Sequence, residues 1–230
     1  MKTNLKITKQ HILIFAAIAV AIIFFVVIIP NSAEEVLKNP SEGLEYNYLI
    51  SPTEYYVVGV GTCKDKDIVI PEEYNGYPVV GIYFDAFYKC EFLESIYLPD
   101  SIVEIRDNAF AECVNLKKVR FSENLECIAD NVFSECRKLE KIDIPNGCIS
   151  IGDEAFSYCD NLAKVELPKT IEKLGRNVFF KSENVKIYYS GSMSDWNDMY
   201  IKENSNDYYY DKREIKVCCS NGIINWSVIA

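Results

Sequence analysis

The stretch IGDEAFSYCDNLAKVELP, residues 151–168, returns along the chain at a constant spacing. IADNVFSECRKLEKIDIP stands 23 residues upstream, at 128–145, and IRDNAFAECVNLKKVRFS stands 23 residues before that, at 105–122. A fixed period between 20 and 50 residues is typical of repeat architectures. The sequence therefore predicts a chain built from several copies of one short unit.

Apolar residues keep the same 23-residue step in several columns. The two clearest columns are Phe87, Phe110, Phe133, Phe156 and Phe179, and Ile82, Ile105, Ile128, Ile151 and Leu174. A unit this short has no core of its own, so its apolar side leaves water only by packing against the next copy. We therefore expect stacked coils around one continuous core.

Each unit contains two recognisable segments. LAKVELP, residues 162–168, alternates apolar and polar residues and ends in proline, which is typical of a short strand. GDEAFSYC, residues 152–159, offers Asp153 as a helix N-cap before good helix formers, which favours one helical or 3₁₀ turn. Consecutive units are then expected to form a parallel β-sheet.

The pattern I-x-x-x-A-F-x-x-C-x-x-L-x-x-V-x-L-P at this step resembles the BspA-like leucine-rich repeats of bacterial and protist cell surfaces. The resemblance covers residues 44–200, and the segments 43–82 and 185–199 are similar to the terminal pieces of that family. It implies an α/β repeat solenoid, a right-handed leucine-rich repeat superhelix with a parallel β-sheet and short helical or 3₁₀ turns. It also implies binding to host or neighbouring-cell proteins.

An apolar segment precedes the repeats. Residues 12–29 are 18 consecutive apolar residues, about 27 Å long as a helix and close to the thickness of a bilayer core. Secretory signal cores are usually shorter, so we expect one uncleaved N-terminal transmembrane helix, with a cleaved signal as the alternative. Basic residues in 1–11 and the acidic Glu34 and Glu35 predict a cytoplasmic N-terminus.

The predicted organisation follows from these segments. It comprises a cytoplasmic basic N-terminus at 1–11, a transmembrane signal anchor at 12–29, a linker at 30–43, an N-terminal capping segment with the first strand at 44–78, leucine-rich repeats at 79–190 and a C-terminal capping segment at 191–230. The expected location is the plasma membrane, single-pass, with the repeats extracellular. Secretion after signal cleavage is the alternative. Trp196 is expected to close the stack, and the run Tyr208–Tyr210 to cap it or to contact a partner.

Nine cysteines make at least one thiol unpaired. Four of them form another column with the 23-residue step, namely Cys90, Cys113, Cys136 and Cys159. We interpret this column as buried free thiols. Disulfides between neighbouring coils are the sharper alternative, and a metal ladder is disfavoured because no histidine is near. If disulfides form, the better candidates are Cys63, Cys127, Cys218 and Cys219.

Several function classes lack the residues they need. The only histidine is His11, so the repeats cannot build a Ser-His-Asp triad or a Cys-His pair, and no phosphate-binding glycine loop is present. A net charge of −10 argues against nucleic acid. The column Asp107, Asp130 and Asp153 suggests calcium, but we expect these residues to be N-caps. We expect no enzyme, cofactor or metal, although a carboxylate pair acting on glycans stays open as a less favoured alternative.

The outer face of the predicted sheet remains for function. Its two columns are Ser95, Lys118, Lys141 and Lys164, and Tyr97, Arg120, Asp143 and Glu166. Stacked solenoid surfaces of this kind often bind macromolecules. The sequence therefore predicts a non-catalytic recognition or adhesion module for an extracellular protein or glycan. Two alternatives are a merely solvated face and a structural surface protein that associates with itself.

Overall fold

The structure is a computed structural model that describes residues 39–49, 51–201 and 214–227. Short strands dominate this part of the chain, and none of them exceeds six residues. The elements, in chain order, are β1 (Glu45–Asn47), β2 (Tyr55–Gly59), β3 (Asp67–Val69), β4 (Glu73–Tyr74), β5 (Tyr77–Ile82), β6 (Ser95–Tyr97), β7 (Glu104–Ile105), β8 (Lys118–Arg120), β9 (Cys127–Ile128), β10 (Lys141–Asp143), β11 (Ser150–Ile151), β12 (Lys164–Leu167), β13 (Lys173–Leu174), β14 (Lys186–Tyr189), α1 (Met193–Asp198), β15 (Tyr200–Ile201), β16 (Glu214–Cys219) and β17 (Gly222–Ser227).

Each coil contributes one strand to a nine-stranded sheet with the order β1-β2-β5-β7-β9-β11-β13-β15, to which β4 adds by pairing with β5. The strands from β2 onward along this order are parallel, and Ile105, Ile128 and Ile151 lie directly opposite one another in it. The apolar column that begins at Ile82 and ends at Leu174 therefore lies on the strands of this nine-stranded sheet. A single parallel sheet was expected, and the coils in fact have two.

The second strand of each coil lies in what we call the front sheet. It has a three-stranded part, β3-β6-β8, and a five-stranded part, β10-β12-β14-β16-β17, and only the β16–β17 hairpin is antiparallel. The strand predicted within 162–168 is confirmed as β12 (Lys164–Leu167). The parallel solenoid predicted from the repeats is therefore present.

The front sheet is interrupted between β8 and β10. On either side of the gap, the amide of Leu98 donates to the carbonyl of Arg120 at 2.9 Å, and the amide of Ile144 donates to the carbonyl of Glu166 at 2.9 Å. No ladder joins β8 to β10, both of which are fully described. Phe121 holds the position that Leu98 and Ile144 hold in other coils, and its ring meets that of Phe133 edge-on at 5.8 Å. We attribute the gap to this larger side chain.

The predicted helical turns are wrong. The segment around the phenylalanine of each coil is a run of turns, in which two residues per coil have positive φ. They are Asp85, Asn108, Asn131, Glu154 and Asn177, and Lys89, Glu112, Glu135, Tyr158 and Lys181. A left-handed residue every few positions ends any helix. The amides turn instead to the next coil, as when Phe110 donates to the carbonyl of Val132 at 3.0 Å.

The aspartate column has a different role from the one expected. Asp107 accepts a hydrogen bond from the backbone amide of Asp130 at 3.2 Å, and Asp130 accepts one from the amide of Asp153 at 2.6 Å. Asp153 in turn accepts from the amide of Arg176 at 3.0 Å. The interpretation as helix N-caps is therefore wrong, because each carboxylate binds the amide at the same place in the next coil.

The phenylalanines form a continuous stack through the core. Successive ring centroids are 5.0, 5.3, 5.4 and 5.8 Å apart from Phe87 to Phe179, and the interplanar angles do not exceed 13°. All five rings are buried. The prediction that neighbouring coils shield one another's apolar sides is confirmed.

The column of four cysteines consists of buried free thiols, as expected. The thiol of Cys136 donates to the carbonyl of Phe110 at 3.2 Å, and that of Cys159 to the carbonyl of Phe133 at 3.2 Å. Ser182 continues the column and donates in the same way to Phe156 at 2.8 Å. Burial raises the pKa of each of these thiols, so they are inert packing groups and not nucleophiles.

The C-terminal end of the stack is covered by α1 and the β16–β17 hairpin. Trp196 on α1 is buried, with its ring 5.4 Å from that of Tyr189 and 5.5 Å from that of Trp226. The apolar segment 12–29 and the run Tyr208–Tyr210 lie outside the described residues. Among the described residues, no helix has the length and apolar character to cross a bilayer.

Candidate ligand-binding face

The front sheet carries all eight residues of the two predicted columns, on β6, β8, β10 and β12. Ser95 and Tyr97 lie opposite Lys118 and Arg120, and Lys141 and Asp143 lie opposite Lys164 and Glu166. The columns are thus real neighbours within each group of four. The gap between β8 and β10 separates the two groups.

The lysine column extends further than the sequence analysis found. Lys186 on β14 lies opposite Lys164, and Lys216 on β16 lies opposite Lys186. We call Lys141, Lys164, Lys186 and Lys216 the lysine row. The last two escaped notice because they depart from the 23-residue step. The signal was a lysine followed by isoleucine or valine, which recurs in each of these strands, at the start of β10, β12 and β14 and as the third residue of β16.

Carboxylates form ion pairs with the first two lysines of the row. The ammonium of Lys141 is 2.8 Å from Asp143 and 4.0 Å from Glu166, and Lys164 pairs with Glu166. That last pairing raises the pKa of Lys164 and lowers the pKa of Glu166. The Lys164 ammonium also lies 5.0 Å from the ring centre of Tyr188. This half of the row is therefore a small charge network at the protein surface.

Arg120 belongs to the three-stranded part of the front sheet. Its guanidinium lies 4.4 Å from the ring centre of Tyr97, a cation–π distance. Its Nη1 atom is buried without a hydrogen-bond partner among the described groups. Beside it, Ser95 donates a hydrogen bond to Asp67. Arg120 is held by stacking and packing more than by ion pairing.

The residues just before β3, β6 and β8, in the three-stranded part of the front sheet, alternate in charge. Glu94 is 3.1 Å from Lys66 and 2.7 Å from Lys117, which lie on the preceding and following coils. Hydrogen bonds from these two lysines lower the pKa of Glu94 to about 2. Opposite charges on successive coils stabilise one another here, in contrast to the lysine row.

A shallow depression of about 530 Å³ lies beyond the lysine row, at the column of Glu166, Tyr188 and Cys218, which is two residues further along the strands. Its rim combines an exposed ring, Tyr188, with polar side chains such as Asn146, Ser190 and Ser220. The remaining lining is Ile144, Glu166, Leu167, Pro168, Tyr189, Cys218 and Cys219. Tyr188 is the exposed aromatic side chain of this open hollow and Tyr189 is buried beside it, and with an amide and hydroxyls they form a surface suited to binding a ligand.

A tyrosine cluster lies at the N-terminal end of the solenoid and was not singled out from the sequence. Tyr46 stacks on Tyr74 at 4.1 Å, and Tyr55 meets Tyr74 at 5.1 Å and Tyr77 at 6.4 Å. The sequence analysis had instead drawn attention to Tyr208–Tyr210. The signal was available as paired tyrosines on either side of a hairpin turn, at Tyr74 and Tyr77.

The described residues hold no group of three or more histidine, cysteine or acidic side chains placed to bind a metal ion. The aspartate column that had suggested calcium directs its oxygens to backbone amides of the next coil. What the front sheet offers is therefore charge, aromatic surface and shape.

The repeats are similar to those of known proteins. A match to the BspA-type leucine-rich repeat region covers residues 80–206 in six copies. A leucine-rich repeat protein of T. pallidum is similar in structure, with a TM-score of 0.63, 26% identity, and coverage of 66% of this chain and 71% of that one. A leucine-rich cell surface protein of Faecalibacterium prausnitzii A2-165 has a TM-score of 0.63 and 32% identity over 69% of this chain and 41% of its own.

A leucine-rich repeat protein of Bacteroides ovatus has a TM-score of 0.50 and 26% identity over 64% of this chain and 46% of its own. The chain thus spans less than half the length of two of these relatives. No curated protein sequence matches it. None of the three relatives is named for a catalytic activity. Because the repeat match spans more than half of the sequence, this chain belongs to the BspA-type leucine-rich repeat family.

Proposed function

We propose that the chain is a non-catalytic recognition or adhesion module of the cell surface, which presents its front sheet to an extracellular protein or glycan. The observation that carries this proposal is the front sheet itself. Its outward side chains on β6, β8, β10, β12, β14 and β16 stand on in-register parallel strands that the core holds in place. The name of the F. prausnitzii relative, a cell surface protein, supports the same class of function.

A capture experiment tests this proposal. The purified full-length chain is immobilised and exposed to candidate surface proteins and to glycans, beside a variant in which Lys118, Lys141 and Lys164 are changed to Gln. The matched control changes three exposed lysines elsewhere, Lys138, Lys173 and Lys181, to Gln. Loss of capture in the first variant only is expected. Equal capture by both variants moves the binding site off the front sheet.

We also propose that residues 12–29 hold the chain in the plasma membrane with its N-terminus cytoplasmic and its repeats outside. The supports are the uninterrupted apolar run and the three lysines before it, Lys2, Lys6 and Lys9. Protease added to intact cells is expected to degrade the repeats, while the N-terminal fragment stays in the membrane fraction. A shortened chain in the medium supports secretion instead.

A second candidate function is a structural surface protein that associates with itself. The observation in its favour is the outer strand β17, which pairs with β16 on one side and carries Ile223 at 63% exposure. An unpaired apolar edge is a template for pairing with another chain. Sedimentation velocity over a range of concentrations separates the candidates. Association that Ile223→Lys abolishes supports this one, and a monomer at all concentrations excludes it.

A further inference from the structure

We propose that the lysine row and the depression beside Tyr188 form a binding site for an anionic polysaccharide. This inference rests on the proposed function of the front sheet and assigns it a partner chemistry. The site lies on the five-stranded part of the sheet, on β10, β12, β14 and β16. It therefore includes Lys186 and Lys216, which the sequence columns did not contain.

The first argument is that the lysine row destabilises the sheet that carries it. Its four ammonium-bearing side chains lie directly opposite one another on successive strands. Neighbouring strands are about 4.7–4.9 Å apart, so the row is about 14 Å long at its backbone. Like charges directly opposite in a sheet destabilise it. A chain with a net charge of −10 nevertheless concentrates four positive charges there.

The second argument is that the three-stranded part of the front sheet avoids this cost. The column of Lys66, Glu94 and Lys117 alternates in sign, and Glu94 pairs with both lysines. In the lysine row, Lys141 and Lys164 have carboxylate partners. Within the described part of the chain, neither Lys186 nor Lys216 forms an ion pair, and both are exposed. Unbalanced positive charge thus lies at the C-terminal half of the row.

The third argument concerns the surface beside Lys186 and Lys216. In the next column the carboxylates of Asp143 and Glu166 give way to Tyr188 and Cys218, which lie opposite each other. Tyr188 is 41% exposed and lines the 530 Å³ depression. This volume falls within the range of about 300–1,000 Å³ found for ligand sites. A sugar ring packs its C–H face on an aromatic ring, and its hydroxyls pair with groups such as Asn146 and Ser220.

Strand geometry favours a polysaccharide over an acidic peptide. β12, β14 and β16, which carry three of the four lysines, are paired on both sides, so a ligand there meets side chains and has no free backbone edge to join. Side chains on one face of an extended peptide recur at about 6.4–6.8 Å, whereas the lysines recur at about 4.7–4.9 Å. A polyuronate carries one carboxylate on every sugar with hydroxyls between them, so its charges can pair with the flexible lysine side chains while its hydroxyls reach the depression.

The test measures binding of the full-length chain to four probes: polygalacturonate, dextran sulfate, neutral dextran and poly-L-glutamate. We expect affinity for the two anionic polysaccharides, which falls as salt is added because the ammonium groups are exposed. Neutral dextran is expected not to bind. The double variant Lys186→Gln and Lys216→Gln should lose roughly tenfold in affinity for polygalacturonate, as removal of interface charges does. The control Lys173→Gln and Lys181→Gln, with the same change in net charge, should bind like the unchanged chain.

Tyr188→Ala separates sugar recognition from simple charge attraction. It should weaken polygalacturonate binding and leave the salt dependence unaltered, because it removes a ring and no charge. Stronger binding of poly-L-glutamate than of either polysaccharide overturns the proposal in favour of an acidic protein. Absence of binding to both anionic polysaccharides, or equal loss in both double variants, also overturns it. If the front-sheet variants still lose protein capture in that case, the recognition function stands while this assignment fails.

Discussion

Asp130 accepts a hydrogen bond at 2.6 Å from the backbone amide of Asp153, the residue at the same place one coil later. Asp107 and Asp153 repeat the contact on either side. Side chain and backbone of successive coils are thereby tied in register at the turn, where no strand ladder exists. The carboxylate column is part of the solenoid's frame.

Replacing Asp130 tests this role. Asp130→Ala removes the acceptor for the Asp153 amide, and we expect the free energy of unfolding to fall by about 1 kcal/mol. Asp130→Asn keeps an oxygen at that position and should recover most of the loss. Urea unfolding of both variants measures the difference. An Asn variant as unstable as the Ala variant would contradict the hydrogen-bond explanation.

The phenylalanine stack predicts a large and local effect of truncation. Phe133 lies between Phe110 and Phe156, so Phe133→Ala should lower the free energy of unfolding by about 3–5 kcal/mol through the cavity it leaves. Because each coil contacts only its neighbours, amide hydrogen exchange should speed up most in the adjacent coils. Uniform exchange along the solenoid would contradict this picture.

Lys141→Ala is the matched surface control for that experiment. Lys141 is exposed and its ion pairs are solvent-screened, so the change should alter the free energy of unfolding by no more than about 0.5 kcal/mol. A strongly destabilised Lys141→Ala variant would mean that the front sheet does more for the fold than its exposure indicates.

Ser182 offers a test of the thiol column. Its hydroxyl accepts from the amide of Cys159 at 3.0 Å and donates to the carbonyl of Phe156 at 2.8 Å, all in the buried core. Ser182→Ala should cost about 1–3 kcal/mol, because both backbone groups lose a partner. Ser182→Cys should cost less, since the thiols of Cys136 and Cys159 make the equivalent bond. Thermal unfolding of the two variants decides whether Cys is the milder change.

Glu94 gives a prediction about pH. The carboxylate of Glu94 should titrate by NMR with a pKa near 2, because Lys117 and Lys66 both donate hydrogen bonds to it. A lowered folded-state pKa means that the carboxylate stabilises the fold fully above its ordinary value near 4.5, and that this contribution fades as the pH falls toward 2. In the Lys66→Gln and Lys117→Gln double variant, the pKa of Glu94 should return toward 4.5. A pKa that stays low would remove the two lysines as its cause.

The periodic columns predicted the stacked coils and the position of β12, since burial against a neighbour acts alike on every copy. They did not predict the turns. The motif Asp-Asn-Ala-Phe at 107–110 looks like a capped helix start. Asn108 nevertheless takes a left-handed φ of 57°, and its backbone N–H donates to the backbone carbonyl of Asp130 in the next coil. Hydrogen bonds between coils outweigh local helix propensity there, and no single copy contains that information.

The candidate face was only partly predictable. Strict periodicity found Lys141 and Lys164 but not Lys186 or Lys216, because the last coils lengthen and shorten at their turns. The gap at Phe121 was beyond sequence reasoning as well. Phenylalanine is an acceptable core residue at that point of the pattern, and the pattern does not indicate that β8 and β10 stay unpaired.

The near-identical orientation of Phe110 and Phe133, 2° from parallel, shows that one coil's upper surface matches the next coil's lower surface almost without adjustment. A chain that gains or loses one whole 23-residue copy would then meet fitting surfaces at both cut faces. Duplication of one copy within the gene can therefore lengthen the solenoid and its front sheet, without a new core having to evolve.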